Sequence, residues 1–173
     1  NGSDPRRLQI RAGDRLMRAI SLWQPWATAM AIGLKRIETR HWSHNVRGLV
    51  AIHAAKRWQV DEREWAARLA DIHDAPALRN PPLGAIVAIG MLTAVRRTED
   101  VLPTITEQEE MFGNYAPKRF GWIFDQIVAL PEPVPCKGAQ GFFEVPDDLS
   151  QVALEMAAVA DKAQSDLFVA GSV

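Results

Sequence analysis

Cysteine, tyrosine and surplus charge are all scarce in this chain: it has one Cys, one Tyr, and 20 Lys and Arg against 21 Asp and Glu, for a formal net charge of −1. A lone thiol, Cys136, excludes an internal disulfide framework, and no Cys and His residues fall at zinc spacing, so neither a metal nor a cofactor is expected. No apolar run approaches the roughly 18 residues needed to span a bilayer, and no signal-like apolar core opens the chain. A soluble protein with no membrane partner, in a reducing, cytoplasmic setting, is the expectation. With no overall basic excess, any nucleic-acid footprint has to be local.

At 173 residues the chain is long enough for one domain that buries about two thirds of its unfolded surface. Residues 1–16 read as an expression leader, because Asn1-Gly2-Ser3-Asp4-Pro5 resembles a vector scar and Met17 directly precedes the first strand-like segment. Residues 17–146 then form the domain and 147–173 a C-terminal helix packing on it. Between Met17 and Pro146 the charges nearly balance, at 15 basic and 14 acidic residues. They are not evenly spread. Arg18, Lys35, Arg36, Arg40, Arg47, Lys56 and Arg57 fall between Arg18 and Trp58 with only Glu38 against them, which implies either a local basic surface or a solvated face balanced by acids elsewhere in the fold.

Spacing predicts a first strand over Arg18 to Leu22 and a short helix introduced by Pro25. Trp23, Trp26, Ala27, Met30, Ala31 and Leu34 follow helical periodicity, and Gly33 ends the helix. Strands are expected at Arg36 to Arg40 and Leu49 to Ala54. Val50, Ile52 and Ala54 face one way on the latter, and Ala51, His53 and Ala55 the other. A helix from about Asp61 to His73 carries Asp61 and Glu64 as a capping pair and buries Trp65, Leu69 and Ile72. The branched run from Gly84 to Val95 reads as a central strand with a bend or bulge at Gly90. A short helix lies near Thr106 to Phe112, with Thr106 and Glu109 as a capping box. Gly121 to Leu130 is a strand, Pro131, Pro133 and Pro135 force an extended crossing, a short strand lies around Gly141 to Val145, and a helix runs from Asp147 or Asp148 to about Ala163. Strands and short helices without regular alternation argue for a small twisted barrel rather than a doubly wound sheet.

The densest chemistry lies in Gly33-Leu34-Lys35-Arg36-Ile37-Glu38-Thr39-Arg40. With Ser21-Leu22-Trp23-Gln24-Pro25-Trp26-Ala27 before it, Arg47-Gly48 leading into Ile52-His53-Ala54, Gly84 opening the long strand, and Gly121-Trp122 and Lys137-Gly138 near the end, this order resembles the activating signal cointegrator homology (ASCH) domain, a branch of the PUA-like superfamily. The resemblance runs across most of the chain and implies an α+β fold, a PUA-like, mostly antiparallel β-barrel flanked by short helices. It also implies a link to RNA, DNA or modified bases, and in some small bacterial relatives to hydrolysis.

Several residues are candidates for a ligand cleft. Lys35 can meet a phosphate or base carbonyl as a point charge. Glu38 can hold Lys35 and Arg40 in place or accept from a base amine. Arg40 offers a planar fork to phosphate, carboxylate or Glu38. Trp26 and Trp42 can stack on a base, although Trp23 and Trp26 lie on the helix's apolar stripe, which favours Trp42 as the ligand-facing ring. His53 is either a satisfied strand histidine or a site residue, and Gln24 either caps exposed amides or reads a base edge. Lys56 and Arg57 suit backbone phosphates, which need charge more than fixed geometry.

The favoured expectation is a cleft beside the Gly33-x-Lys35-x-x-Glu38-x-Arg40 loop that captures RNA, another single-stranded nucleic acid or a nucleoside. An enzymatic alternative stays open. Bacterial relatives that deacetylate N-acetylcytidine carry a threonine three residues after the lysine, where Glu38 stands here, and Thr39 belongs to the opposite strand face. Lys35 with Glu109 or Glu38 would have to carry such hydrolysis. Ribonuclease activity lacks a His pair or carboxylate cluster. A third reading is a protein-interaction module using Leu149, Val152, Ala153 and Met156 of the C-terminal helix.

Overall fold

Branched and small apolar residues set the strands, and the structure, a computed structural model, describes Leu8 and residues 18–170. The expected leader lies outside the described residues apart from Leu8, which is buried in a core cluster. The strands are β1 (Arg18–Leu22), β2 (Ile37–Arg40), β3 (Gly48–Ala54), β4 (Ala85–Arg97), β5 (Phe120–Pro135) and β6 (Phe142–Glu144). They form one sheet in the order β2-β5-β4-β3-β1-β6. Only the β1–β3 pair is parallel. The fold is α+β and mostly antiparallel, but the barrel is half-closed: the sheet curls, and β2 and β6 are its two unjoined edges. Among the described residues no helix is long and apolar enough to cross a membrane.

Both sheet faces are covered, which explains why the first six residues of β4 are all buried rather than alternating. On β3, Val50, Ile52 and Ala54 join one core, with Trp122, Phe124 and Ala27 and Met30 of helix α1 (Trp26–Ala31). Ala51 turns to the other core, with Ile89, Val128 and Ala153, Leu154 and Ala157 of helix α5 (Asp147–Ala170). Helix α5 therefore runs past the expected end. It buries Ala153 but leaves Val152 40% exposed, so the predicted stripe is turned partly toward solvent.

Helix α2 (Val60–Ile72) starts one residue earlier than expected, which moves its cap. Gln59 and Glu62 form the capping box in place of Asp61 and Glu64. Leu69 is buried and Trp65 half-buried, whereas Ile72, in the last turn, is exposed. The bulges of β4 flank Gly90 rather than centring on it, with register shifts between Ile86 and Ala88 and between Met91 and Ala94. The three late prolines belong to β5. Pro131 and Pro133 fall where β5 loops out between its pairing at Ala129 and at Val134, so their missing amides interrupt no ladder. Two short helices, α3 (Thr98–Val101) and α4 (Glu107–Met111), bridge β4 and β5.

Candidate functional site

Helix α1 delivers the chain to the site. Gly33, at φ +83°, turns the backbone where a side chain would be strained, and the amides of Leu34 and Lys35 both donate to the Ala29 carbonyl. Lys35 then points inward and is fully buried. Its Nζ donates to the carbonyls of Ile37 and of Phe112, the latter at 2.9 Å, and lies 3.3 Å from Glu38 Oε2. Glu38 Oε1 lies 2.8 Å from Arg40 Nε, an ion pair out of line for a hydrogen bond, and Arg40 Nη2 donates to the Ser21 carbonyl at 2.9 Å. The carboxylate thus sits between two cations, one sealed in and one half-buried.

Glu109 of α4 braces the same segment from behind. Its oxygens accept the amides of Arg36 at 2.8 Å and Ile37 at 2.9 Å. Thr106 Oγ1 accepts the Glu109 amide as predicted, but the return half of the box is absent because the carboxylate is engaged by β2 instead. Burial and the neighbouring Glu109 carboxylate push the Tyr115 hydroxyl pKa up, so it stays protonated.

In front of this brace opens a cleft of about 580 Å3. Trp23, Trp26 and Trp65 contribute to its aromatic lining, and Ser21, Glu38, Thr39, Arg40, His41, Asn114 and Arg119 supply its polar groups. Trp23 is 52% exposed, and the Arg57 guanidinium lies 4.1 Å from its ring centroid. Thr39 borders the cleft with Glu38 although the two point to opposite strand faces, because the loop after α4 folds over it: the Asn114 amide donates to Thr39 Oγ1 at 2.9 Å. Arg119 is held by Nη2 on the Thr39 carbonyl at 3.3 Å and Nε on the Asn114 carbonyl at 3.1 Å. The arrangement sets three indole rings beside two guanidiniums in one cleft.

Of the residues expected at the cleft, Trp26, Glu38 and Arg40 line it. Lys35 does not, because a buried ammonium is stabilised best by the carbonyls and carboxylate around it. Glu109 does not, since both its oxygens face backbone amides. Trp42 is not the open ring. It packs edge-on against Trp122, centroids 4.6 Å apart, in a closed cluster with His44 and Phe142. Gln24 is buried, accepting the Thr28 amide at 3.0 Å and donating to the Pro82 carbonyl at 2.8 Å. His53 is buried behind the cleft, with Ser21 Oγ 2.9 Å from Nδ1 and the Cys136 carbonyl 2.9 Å from Nε2. Lys56 is exposed and Arg57 pairs with Glu62, both outside the lining.

Ser21, Trp23, Trp65, His41, Asn114 and Arg119 were not anticipated. Helical periodicity places Trp23 on a buried stripe, but the helix begins three residues later, at Trp26. Trp65, Asn114 and Arg119 come from distant segments and carry no local signal. Among the described residues no group of three or more His, Cys, Asp or Glu is placed to hold a metal ion.

The ASCH domain model matches residues 20–133, a span that holds every cleft residue. Sequence comparison with curated proteins finds no significant match. The chain is similar in fold to the crystal structure of ASCH from Zymomonas mobilis, at 13% identity and a TM-score of 0.51, covering 83% of this chain and 96% of that one. A serine-to-alanine mutant of that protein gives 14% identity and a TM-score of 0.50, covering 82% and 96%.

Proposed function

This chain belongs to the ASCH domain family, and from that premise and the cleft we propose that it binds a nucleotide or a short single strand of nucleic acid, RNA foremost, beside the loop of residues 33–40. The observation that carries this reading is the meeting of the Trp23, Trp26 and Trp65 indoles with the Arg40 and Arg119 guanidiniums in one open cleft. Indole faces stack on any base, at about 1–3 kcal/mol per base, and guanidiniums take phosphate bidentately. The Glu38 carboxylate and the Asn114 side chain are the groups suited to a base amine or carbonyl. Lys35 serves from behind by holding Glu38, and Arg57, lying on the Trp23 ring, with Lys56 next to it in sequence, is the candidate for a longer strand's phosphates.

The experiment is oligonucleotide binding followed by tryptophan fluorescence, with oligouridylate, a DNA counterpart and a mononucleotide compared at several salt concentrations. Binding is expected to weaken with salt, and Arg119→Ala to lower the slope of log affinity on log salt by about one phosphate's worth, near 0.7 for a single strand. No binding of any of the three at low salt removes the reading. Hydrolysis through Lys35 and Glu109 gains nothing from the geometry, because Lys35 is enclosed by the Ile37 and Phe112 carbonyls and Glu38 while Glu109 is engaged by the Arg36 and Ile37 amides.

A further inference from the structure

Ser21 is the one hydroxyl of β1, and it stands in two environments at once. Its residue lines the cleft and is only partly buried, while its Oγ lies 2.9 Å from His53 Nδ1 on the neighbouring parallel strand, the residue directly across the ladder. The other nitrogen, Nε2, faces the Cys136 carbonyl at 2.9 Å. A carbonyl only accepts, so Nε2 carries the ring proton, Nδ1 is the acceptor, and the Ser21 hydroxyl donates to it. The ring is held on two further sides: a Cβ at Gly138 would fall 2.8 Å from both His53 Nδ1 and Ser21 Oγ, and Phe143 packs edge-on at 5.6 Å. A hydroxyl on a cleft-lining residue, a base on it and an acceptor orienting the base is the geometry that activates a serine.

We propose that Ser21 is a nucleophile activated by His53, and that the cleft hydrolyses carboxylic esters whose alcohol carries an aromatic ring. The aromatic lining receives the ring and brings the ester carbonyl to Oγ. Oγ forms a bond to the carbonyl carbon as its proton passes to His53 Nδ1. The Arg40 guanidinium, already donating to the Ser21 carbonyl at 2.9 Å, is the cation set against the developing oxyanion. Collapse breaks the bond to the alcohol oxygen, which leaves with the proton from His53. Water then attacks the acyl-serine, giving its proton to Nδ1, and Ser21 departs by taking that proton back, so ester and water become acid and alcohol. Burial lowers the His53 pKa below its ordinary value, which keeps the ring neutral and able to accept near pH 7.

The chemistry uses the nucleotide cleft but does not require a nucleotide, so the two readings fail separately. The test is labelling of the full chain with diisopropyl fluorophosphate, which exchanges its fluoride for the serine oxygen, read by intact and peptide mass, alongside release of nitrophenolate from 4-nitrophenyl acetate. One label on Ser21 is expected, none on Ser21→Ala, and labelling of His53→Gln about 100-fold slower with circular dichroism unchanged. Labelling of the parent no faster than of the heat-unfolded chain, or of Ser21→Ala as fast as the parent, overturns the proposal and leaves the pair as a clip between β1 and β3. If His53→Gln does not fold, the parent's pH profile decides: a labelling rate that levels off above a single ionisation below pH 6.5 supports His53 as the base, and one that climbs with hydroxide overturns it.

Discussion

Two aromatic groups sit back to back around β2, and they differ in what covers them. Trp42, His44, Trp122 and Phe142 cover one another: Trp122 is fully buried, stacks on Phe142 at 5.2 Å and 9°, and meets His44 edge-on at 4.1 Å. Trp23, Trp26 and Trp65 share a cleft with cations and remain exposed or half-buried. Arg40 stands between them, its Cζ 5.9 Å from the Trp122 centroid and its Nη2 on Ser21. The same residue type is therefore sealed at Trp122, fully buried, and left open at Trp23, 52% exposed.

The largest effects should fall behind the cleft, where the comparison can be broken outright. Trp122→Ala empties the closed cluster and should cost about 3–5 kcal/mol in urea unfolding. Lys35→Ala leaves Glu38 and the carbonyls of Ile37 and Phe112 without their buried donor and should cost a similar amount, about 3–5 kcal/mol. A Lys35→Ala protein as stable as the parent would show that the brace behind β2 is dispensable. In the cleft the balance reverses. Trp23→Ala should change stability by no more than about 0.5 kcal/mol, while weakening oligonucleotide binding by about 1–3 kcal/mol, or roughly 5- to 150-fold. Unchanged affinity in Trp23→Ala, with a loss in Trp42→Ala, would invert the assignment of the two groups.

Much of the fold was legible because it is written locally. The alternation of Val50 and Ile52 against Ala51 and His53, the buried run of β4 and the Gly33 turn each express a short-range constraint, and each assigned a face or boundary correctly. Trp23 and Trp42 were exchanged because α1 is only six residues long; a helical stripe projected one turn too early carries Trp23 into a core it never enters. Lys35 looked like a ligand group because its partners, the Ile37 and Phe112 carbonyls, are backbone atoms that residue identity does not reveal. Asn114 and Arg119 reach the cleft only because β5 pairs with β2, bringing together residues some 80 positions apart, with Arg40 opposite Phe120. Ser21 and His53 share that difficulty, since their contact depends on the parallel β1–β3 register.

The smallest effect separates the two aromatic groups by acidity. His44 Nδ1 accepts the Val46 amide at 3.0 Å, so the neutral ring carries its proton on Nε2, which is buried without a hydrogen-bond partner. Protonating Nδ1 breaks the bond to Val46 and charges a ring set against Trp122 and Phe142. Burial, with Arg47 nearby, lowers the pKa from 6.5 to about 4. The unfolded chain therefore binds this proton first as pH falls. The stability held by neutral His44 is complete above pH 6.5 and is lost progressively on the way down to about pH 4. For a half-buried ring screened by solvent the difference between pH 7.5 and pH 5 should be on the order of 1–2 kcal/mol. His53, also lowered by burial, acts with the same sign, so the measurement must be a difference: urea unfolding of the parent and of His44→Phe at both pH values. The variant keeps the ring packing and the His53 contribution but loses the titrating group, and its stability should fall less on acidification. An equal fall in both proteins would mean that the closed cluster is indifferent to His44's charge and is open enough for water to reach the ring.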